Sequence, residues 1–299
     1  MSIVHPCVNT AWQPVRLVLD TDIGFDADDL LALAMVLDRP EFELLGIIAC
    51  GGEPDMSARM ARALCRETGH DVPVAQGEKT RLGEPVSEPH LDFFVTLPGF
   101  GDPDQGFSDA ENLLASIGSR LQGALYVSIG PLTTLARLLD TAPELTGRLR
   151  GVVSMGGYVQ PEGAPGIPEY NFGVDPAGTR KVLSRGLPHL CVTKNLCDGF
   201  VMPPENTARL ARSGGTARVL AARFLKTWFD VFDEQILYDP LTLAIAADPG
   251  PVRLEPVAFD VAGDMTVTAR FPGKGGTLAT VGTAPADQSW FENLFYGAV

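Results

Sequence analysis

Apolar residues in this chain come in short dense runs, and between the runs they recur at helical spacing. Val15–Asp20, Phe42–Ala49, Ala124–Ser128, Gly151–Met155 and His189–Val192 are near-continuous apolar stretches. Runs of that length without alternation mark strands covered on both faces. Ala27–Leu37, Met56–Glu67, Ala110–Arg120, Leu132–Asp140 and Pro176–Ser184 carry the helical period. Strands alternating with helices predict βαβ units, hence an α/β fold with a mostly parallel sheet. Glu205–Ala247 reads as helical, including "ARVLAARFLKTWFDVF". Beyond it, "RLEPVAFDV", "MTVTARF" and "GTLATVG" read as strands, the last two a hairpin across "PGKGG", and Ser289–Tyr296 as a closing helix. With no repeat or linker visible, residues 1–299 read as one domain with a loose arm over 1–14. Gly77–Gly106 and Gln160–Pro168, rich in Gly and Pro, read as loops near a site.

Composition narrows the function classes. The 299 residues are 45% hydrophobic with a formal net charge of −14. That balance lacks the basic footprint of a nucleic-acid binder. No apolar run reaches membrane-spanning length, and no basic-then-apolar leader opens the chain. The five cysteines show no CxxC spacing. Reduced thiols in a cytoplasmic protein are the simplest reading.

One stretch needs a chemical explanation. "LVLDTDIGFDADDLLAL" places Asp20, Asp22, Asp26, Asp28 and Asp29 where a buried strand hands over to a buried helix. In α/β sheets, ligands bind beyond the carboxyl ends of the strands. A helix N-terminus favours one or two carboxylates by roughly 0.3–1 kcal/mol each. That does not offset repulsion among five. Asp26 as a helix cap with the others solvated is the bland alternative. A hard, oxygen-liganded cation, Ca²⁺ or Mg²⁺, is the economical answer. The loop is no EF-hand, because it follows a strand and lacks the closing Glu.

Other strand ends offer complementary groups. "YVSIGPLTTLARLL" has a turn at Ser128–Gly130 suited to presenting a backbone carbonyl. "VVSMGGYV" ends at Met155 before a Gly-Gly pair that permits close approach of a ligand. "GIPEYNFGVDPAGTRKVL" puts Glu169 and Asn171 two residues apart, able to face a polyhydroxyl ligand. "ILYDPLTLAIA" sets Asp239 at a helix start, where a plain N-cap is the competing reading.

Together these pieces resemble the nucleoside hydrolase family, the inosine–uridine-preferring nucleoside N-ribohydrolases. The family's opening motif, DTDPG-x-DDA, is matched by "DTDIGFDADDLLAL" with two extra residues, and "PEFELLGI", "SIGPLTTLA", "VVSMGGYV", "EYNFGVDP" and "YDPLTLA" follow in the family's order. The resemblance runs from Val15 to about Ala247. It implies a Rossmann-like core with Ca²⁺ at the strand ends and hydrolysis of the N-glycosidic bond of a ribonucleoside to free base and ribose. By position, Asp22 matches the Ca²⁺ ligand that acts as general base on a metal-bound water. Asp29 and Asp239 match further carboxylate ligands, and Ile129 a carbonyl ligand. Asp28, Glu169, Asn171 and Asp239 match ribose-binding positions. The resemblance also implies a homo-oligomer, a dimer or tetramer, whose only partner of another kind is the small-molecule riboside.

Three positions depart from the family pattern. Tyr238 stands where the motif has His, Glu53 where an Asn follows the second strand, and Gly163 where a 5′-side loop has Asn. The grip on metal and ribose persists while the base and 5′ sides change. Trp228, Phe229 and Phe232 are candidates to stack on a base, with packing as the competing role, and His90 to replace the missing acid. Two other functions compete. One is a repurposed relative in specialised metabolism that binds or transforms a modified riboside. The other is a haloacid-dehalogenase-like phosphotransferase with Asp20 as nucleophile; Gly24 and the downstream pieces do not suit it.

Overall fold

The computed structural model describes residues 6–7, 13–80, 83–98, 100, 106–160, 164–263, 265–270, 277–281 and 285–297. Its centre is a nine-stranded sheet. From edge to edge the strands are Leu254–Pro256, Thr277–Thr280, His189–Val192, Gly151–Met155, Leu125–Ser128, Val15–Thr21, Phe42–Gly51, Val74–Lys79 and Ser108–Asp109. Every neighbouring pair is parallel except the edge pair Leu254–Pro256 and Thr277–Thr280. Helices cover both faces, so the central strands are buried on both sides, which is why they read as unbroken apolar runs.

The order of the strands decides where a site can form. The chain winds outward one way from Val15–Thr21 through Phe42–Gly51 to Val74–Lys79. It then returns to the other side of Val15–Thr21 with Leu125–Ser128 and continues outward the opposite way. The crevice between the carboxyl ends of those two central strands is a topological switch point, where ligands of doubly wound sheets bind.

The expected elements are present with small shifts, except that the stretch Gly77–Gly106, expected as loop, holds the helix Glu88–Phe94. Gly151–Met155, His189–Val192, Pro176–Ser184 and Ser289–Tyr296 have the expected bounds. The second helix starts earlier, at Pro54, a favoured first-turn proline. The helix expected over Ala110–Arg120 ends at Ile117, because Gly118 takes a φ of 63° and a short 3₁₀ turn follows. Val74–Lys79 was hidden in the sequence by its Gln, Gly and Glu. The Glu205–Ala247 segment divides into Thr207–Ala211, Thr216–Trp228 and Tyr238–Ala247. Between the last two, Gln235–Ile236 pairs antiparallel with Val201–Met202.

The C-terminal hairpin is a correction. Thr266–Arg270 pairs with Ala258–Val261 and Ile167–Pro168 in a small separate sheet. Thr277–Thr280 instead joins the main sheet beside His189–Val192. The physical reason is burial. Thr277–Thr280 is covered almost throughout and belongs in the core sheet, whereas Ala258–Val261 is half exposed and suits a surface ribbon. The "PGKGG" segment between them lies outside the described residues.

Candidate active site

The acidic stretch lies at the switch point. Asp22 follows the strand Val15–Thr21, and Ile129 follows Leu125–Ser128, with its N–H donating to Asp20 O at 2.8 Å. Asp28 and Asp29 sit in the first turn of the helix Ala27–Asp38, capped by Asp26, whose Oδ1 accepts from Ala27 N at 2.7 Å. Asp239 comes from the first turn of Tyr238–Ala247. Asp28, Asp29 and Asp239 are all buried, and one oxygen of each lies within 4.8 Å of the others. The chain thus converges the first turns of two helices on one point. Asp26, unassigned by the resemblance, has the capping role.

Asp22 stands beside this trio rather than inside it. A methyl at Gly130 would lie 2.7 Å from Asp22 Oδ1 and 3.0 Å from Cys50 Sγ. A methyl at Gly51, whose φ is 99°, would lie 2.7 Å from Asp22 Cβ. Glycine at both positions leaves room for this carboxylate between two strand ends. Of the expected ligands, Asp29 and Asp239 lie in this trio together with Asp28, and Asp22 is close enough to Asp29 to repel it.

The cluster is electrostatically unbalanced. No ion pair among the described residues reaches Asp22, Asp28, Asp29 or Asp239. Burial, then repulsion from neighbouring aspartates, pushes Asp22 up to about 8 and holds Asp28, Asp29 and Asp239 well above the carboxylate range. Few contacts compensate: Thr21 Oγ1 donates to Asp29 Oδ1, and Asp239 N donates to Asp28 Oδ2 at 3.3 Å. Oxygen donors, buried and lacking a counter-charge, fit a hard divalent cation.

Beside the cluster, Asn171 Nδ2 donates to Ile129 O at 2.9 Å and lies near Met155 O and Sδ at 3.4 and 3.3 Å. Its amide ties two strand ends together, leaving a second lone pair on the Ile129 carbonyl. Glu169 is buried, and burial raises its carboxyl. Its Oε2 accepts from Gly157 N and Phe172 N at 2.9 and 3.0 Å, and Oε1 from Asn171 N at 3.1 Å. It therefore caps the short helix Tyr170–Gly173 and fixes Asn171. Glu169→Gln should lower stability by about 1–3 kcal/mol, since an amide cannot serve all three donors. Equal denaturant midpoints for the two proteins would refute this scaffold role. Glu53 is exposed, and its Oε2 accepts from Val86 N at 2.8 Å, holding the Gly83–Ser87 segment. Gly163 lies outside the described residues.

Tyr238 is half-buried one residue before Asp239. Burial pushes its phenol up to about 12, against the pull of Lys194. Lys194 was missed in the sequence, although it follows the expected strand His189–Val192 at the ligand-facing edge of the sheet. Trp228, expected to stack on a base, is 4% exposed and packs against Phe224, His90 and Phe232. Phe232, 41% exposed, carries the open ring of that pair. His90 is fully buried, with Nδ1 on Ser87 Oγ at 2.9 Å, and burial lowers it to about 3. It stays neutral within an aromatic shell, which removes it as a stand-in acid. Asp20 is fully buried with Oδ2 accepting from Tyr126 Oη at 2.6 Å, so it presents no nucleophile to a substrate. All five cysteines are buried and unbridged. No helix among the described residues is long and apolar enough to cross a membrane.

Known proteins share this fold. A pyrimidine-specific ribonucleoside hydrolase, RihA of Klebsiella pneumoniae, is 27% identical over 78% of this chain and 79% of its own length. A plant nucleoside hydrolase superposes with a TM-score of 0.76 at 22% identity, covering 95% of this chain and all of that one. A purine-preferring ribonucleoside hydrolase from Gardnerella vaginalis superposes with a TM-score of 0.71 at 24% identity, covering 94% of this chain and 97% of that one. The family profile described as inosine-uridine preferring nucleoside hydrolase matches residues 17–290. With nine-tenths of its length matched, this chain belongs to the nucleoside hydrolase family, a family of N-glycosyl hydrolases.

Proposed function

We propose that this protein is a Ca²⁺-dependent ribonucleoside hydrolase, cleaving the N-glycosidic bond to free base and ribose. The observation that carries this reading is the convergence of buried, uncompensated Asp28, Asp29 and Asp239 at the switch point of the sheet. Asp22, Asp29, Asp239 and the Ile129 carbonyl would hold the cation, with Asp28 adjoining. When bound, the ion supplies the missing positive charge and acidifies water.

The chain's own groups account for the rest. Cleavage passes through an oxocarbenium-like state at the sugar ring. Carboxylates fixed nearby stabilise that positive charge without reorganising. Asp22, on the open side of the cluster, is placed to take a proton from the attacking water. Asp28 and Asn171 would receive ribose hydroxyls, with Glu169 holding Asn171 in place. Tyr238 keeps its proton at neutral pH and can donate a hydrogen bond to the departing base.

The test is metal content of the purified protein followed by ribose release across a panel of ribonucleosides. Pyrimidine ribonucleosides come first, because the Klebsiella relative is pyrimidine-specific. About one Ca²⁺ per chain with ribose released is expected. Bound Ca²⁺ with no ribose from any member would overturn hydrolysis and favour a repurposed riboside site. Tyr238→Phe should slow a nucleoside by about 10–100-fold, and an activated nitrophenyl riboside much less. Equal slowing of both would argue against a role at the leaving group.

A further inference from the structure

We infer that Lys194 is a positioning residue on the leaving-group side of the site, fixing the Tyr238 hydroxyl so that its O–H is offered to the departing base. This rests on the hydrolase reading above.

Lys194 begins a short turn directly beyond His189–Val192, a parallel strand adjoining Gly151–Met155, and its N–H donates to Gly157 O at 3.0 Å. Its backbone is thus anchored at the same sheet edge as Met155. The Nζ donates to Tyr238 Oη at 2.9 Å and to Asp198 Oδ1 at 2.7 Å, and sits 5.0 Å from the centre of the Tyr238 ring. A lysine ammonium has donors and no acceptor. The phenol oxygen must therefore accept from Lys194, and its own hydrogen must point elsewhere. Within the protein the alternative acceptor is Asp198 Oδ1, 3.4 Å from Tyr238 Oη and already engaged by Lys194. A contact that long is weak. The hydroxyl hydrogen is left available to a ligand, and a phenol that accepts from a cation is a better donor.

An i,i+4 Lys194–Asp198 pair on a half-exposed turn would by itself stabilise little. Its reach to Tyr238, immediately before a carboxylate of the buried cluster, is what links it to the reaction. The sequence change accords with this. The residue at the motif's His position is a phenol, and a cation from a strand end grips it.

The experiment compares the wild type with Lys194→Met, Lys194→Arg, Tyr238→Phe and the Lys194→Met/Tyr238→Phe double variant. Each is assayed on uridine and on 4-nitrophenyl riboside, whose leaving group needs no donor. Lys194→Met should lower kcat on uridine by about 10-fold or more and on the nitrophenyl riboside by less than about 3-fold. Lys194→Arg should recover part of the loss, and the double variant should be no slower than Tyr238→Phe. An equal fall on both substrates, or additive losses in the double variant, would overturn the inference while leaving the hydrolase reading intact. Where another ribonucleoside of the panel is cleaved faster than uridine, it takes uridine's place; a wild type that releases ribose from none of them and not from the nitrophenyl riboside would overturn both.

Discussion

Asp22→Ala and Asp29→Ala should each lose stoichiometric Ca²⁺ and at least about 10³-fold in kcat on the best ribonucleoside, since each removes a ligand and Asp22→Ala removes the base as well. The expected stability change separates this from misfolding. Asp29 is repelled by Asp22 and Asp26, and Asp22 by Asp28, Asp20 and Asp26. Deleting one carboxylate from a metal-free cluster relieves that repulsion. The chelated variants should therefore melt no lower than the chelated wild type, while Ca²⁺ should raise only the wild type. Asp29→Ala also frees Thr21 Oγ1 of its acceptor, which limits its gain relative to Asp22→Ala. Retention of one Ca²⁺ per chain by both variants would remove the metal assignment.

The legible parts of this molecule were those written in local pattern. The central strands are buried on both faces, so their apolar runs could not be mistaken, and the order of motifs placed Asp22, Ile129 and Asp239 at strand and helix ends. What stayed hidden depends on distant pairing. Thr277–Thr280 enters the main sheet by lying beside His189–Val192, a neighbour about ninety positions away that no local period announces. The same limit applied to side chains. Trp228 and His90 looked like ligand groups, but their faces are taken by Phe224 and Phe94. Glu169 matched a ribose-binding position, and its three bonds from backbone N–H groups were not visible in the sequence. Lys194 lacked any motif, and its relevance comes only from the 2.9 Å contact with Tyr238.

Chelation should abolish ribose release and make the protein's stability strongly pH-dependent, and Ca²⁺ should reverse both effects. Asp20 and Asp22 are raised by burial to about 7 and about 8, far above the usual value near 4. A carboxyl whose pKa is higher folded than unfolded binds its proton more tightly in the folded state. Its stabilising contribution is complete below the unfolded value and is lost as pH rises through the folded one. The chelated protein should therefore lose stability from about pH 4 to pH 8. Ca²⁺ requires the ionised cluster, so its binding releases protons and its stabilisation grows over that same interval. At about 100-fold excess over Kd the ion contributes about 2.7 kcal/mol. In a chain of this size that corresponds to roughly 4 °C in Tm at pH 8, and to a smaller shift at pH 6. Thermal unfolding with and without Ca²⁺ at the two pH values measures the difference. Titration calorimetry in buffers of different ionisation enthalpy counts the protons released. Equal Ca²⁺-induced shifts at both pH values, with no protons released, would mean that the ion binds somewhere other than these carboxylates.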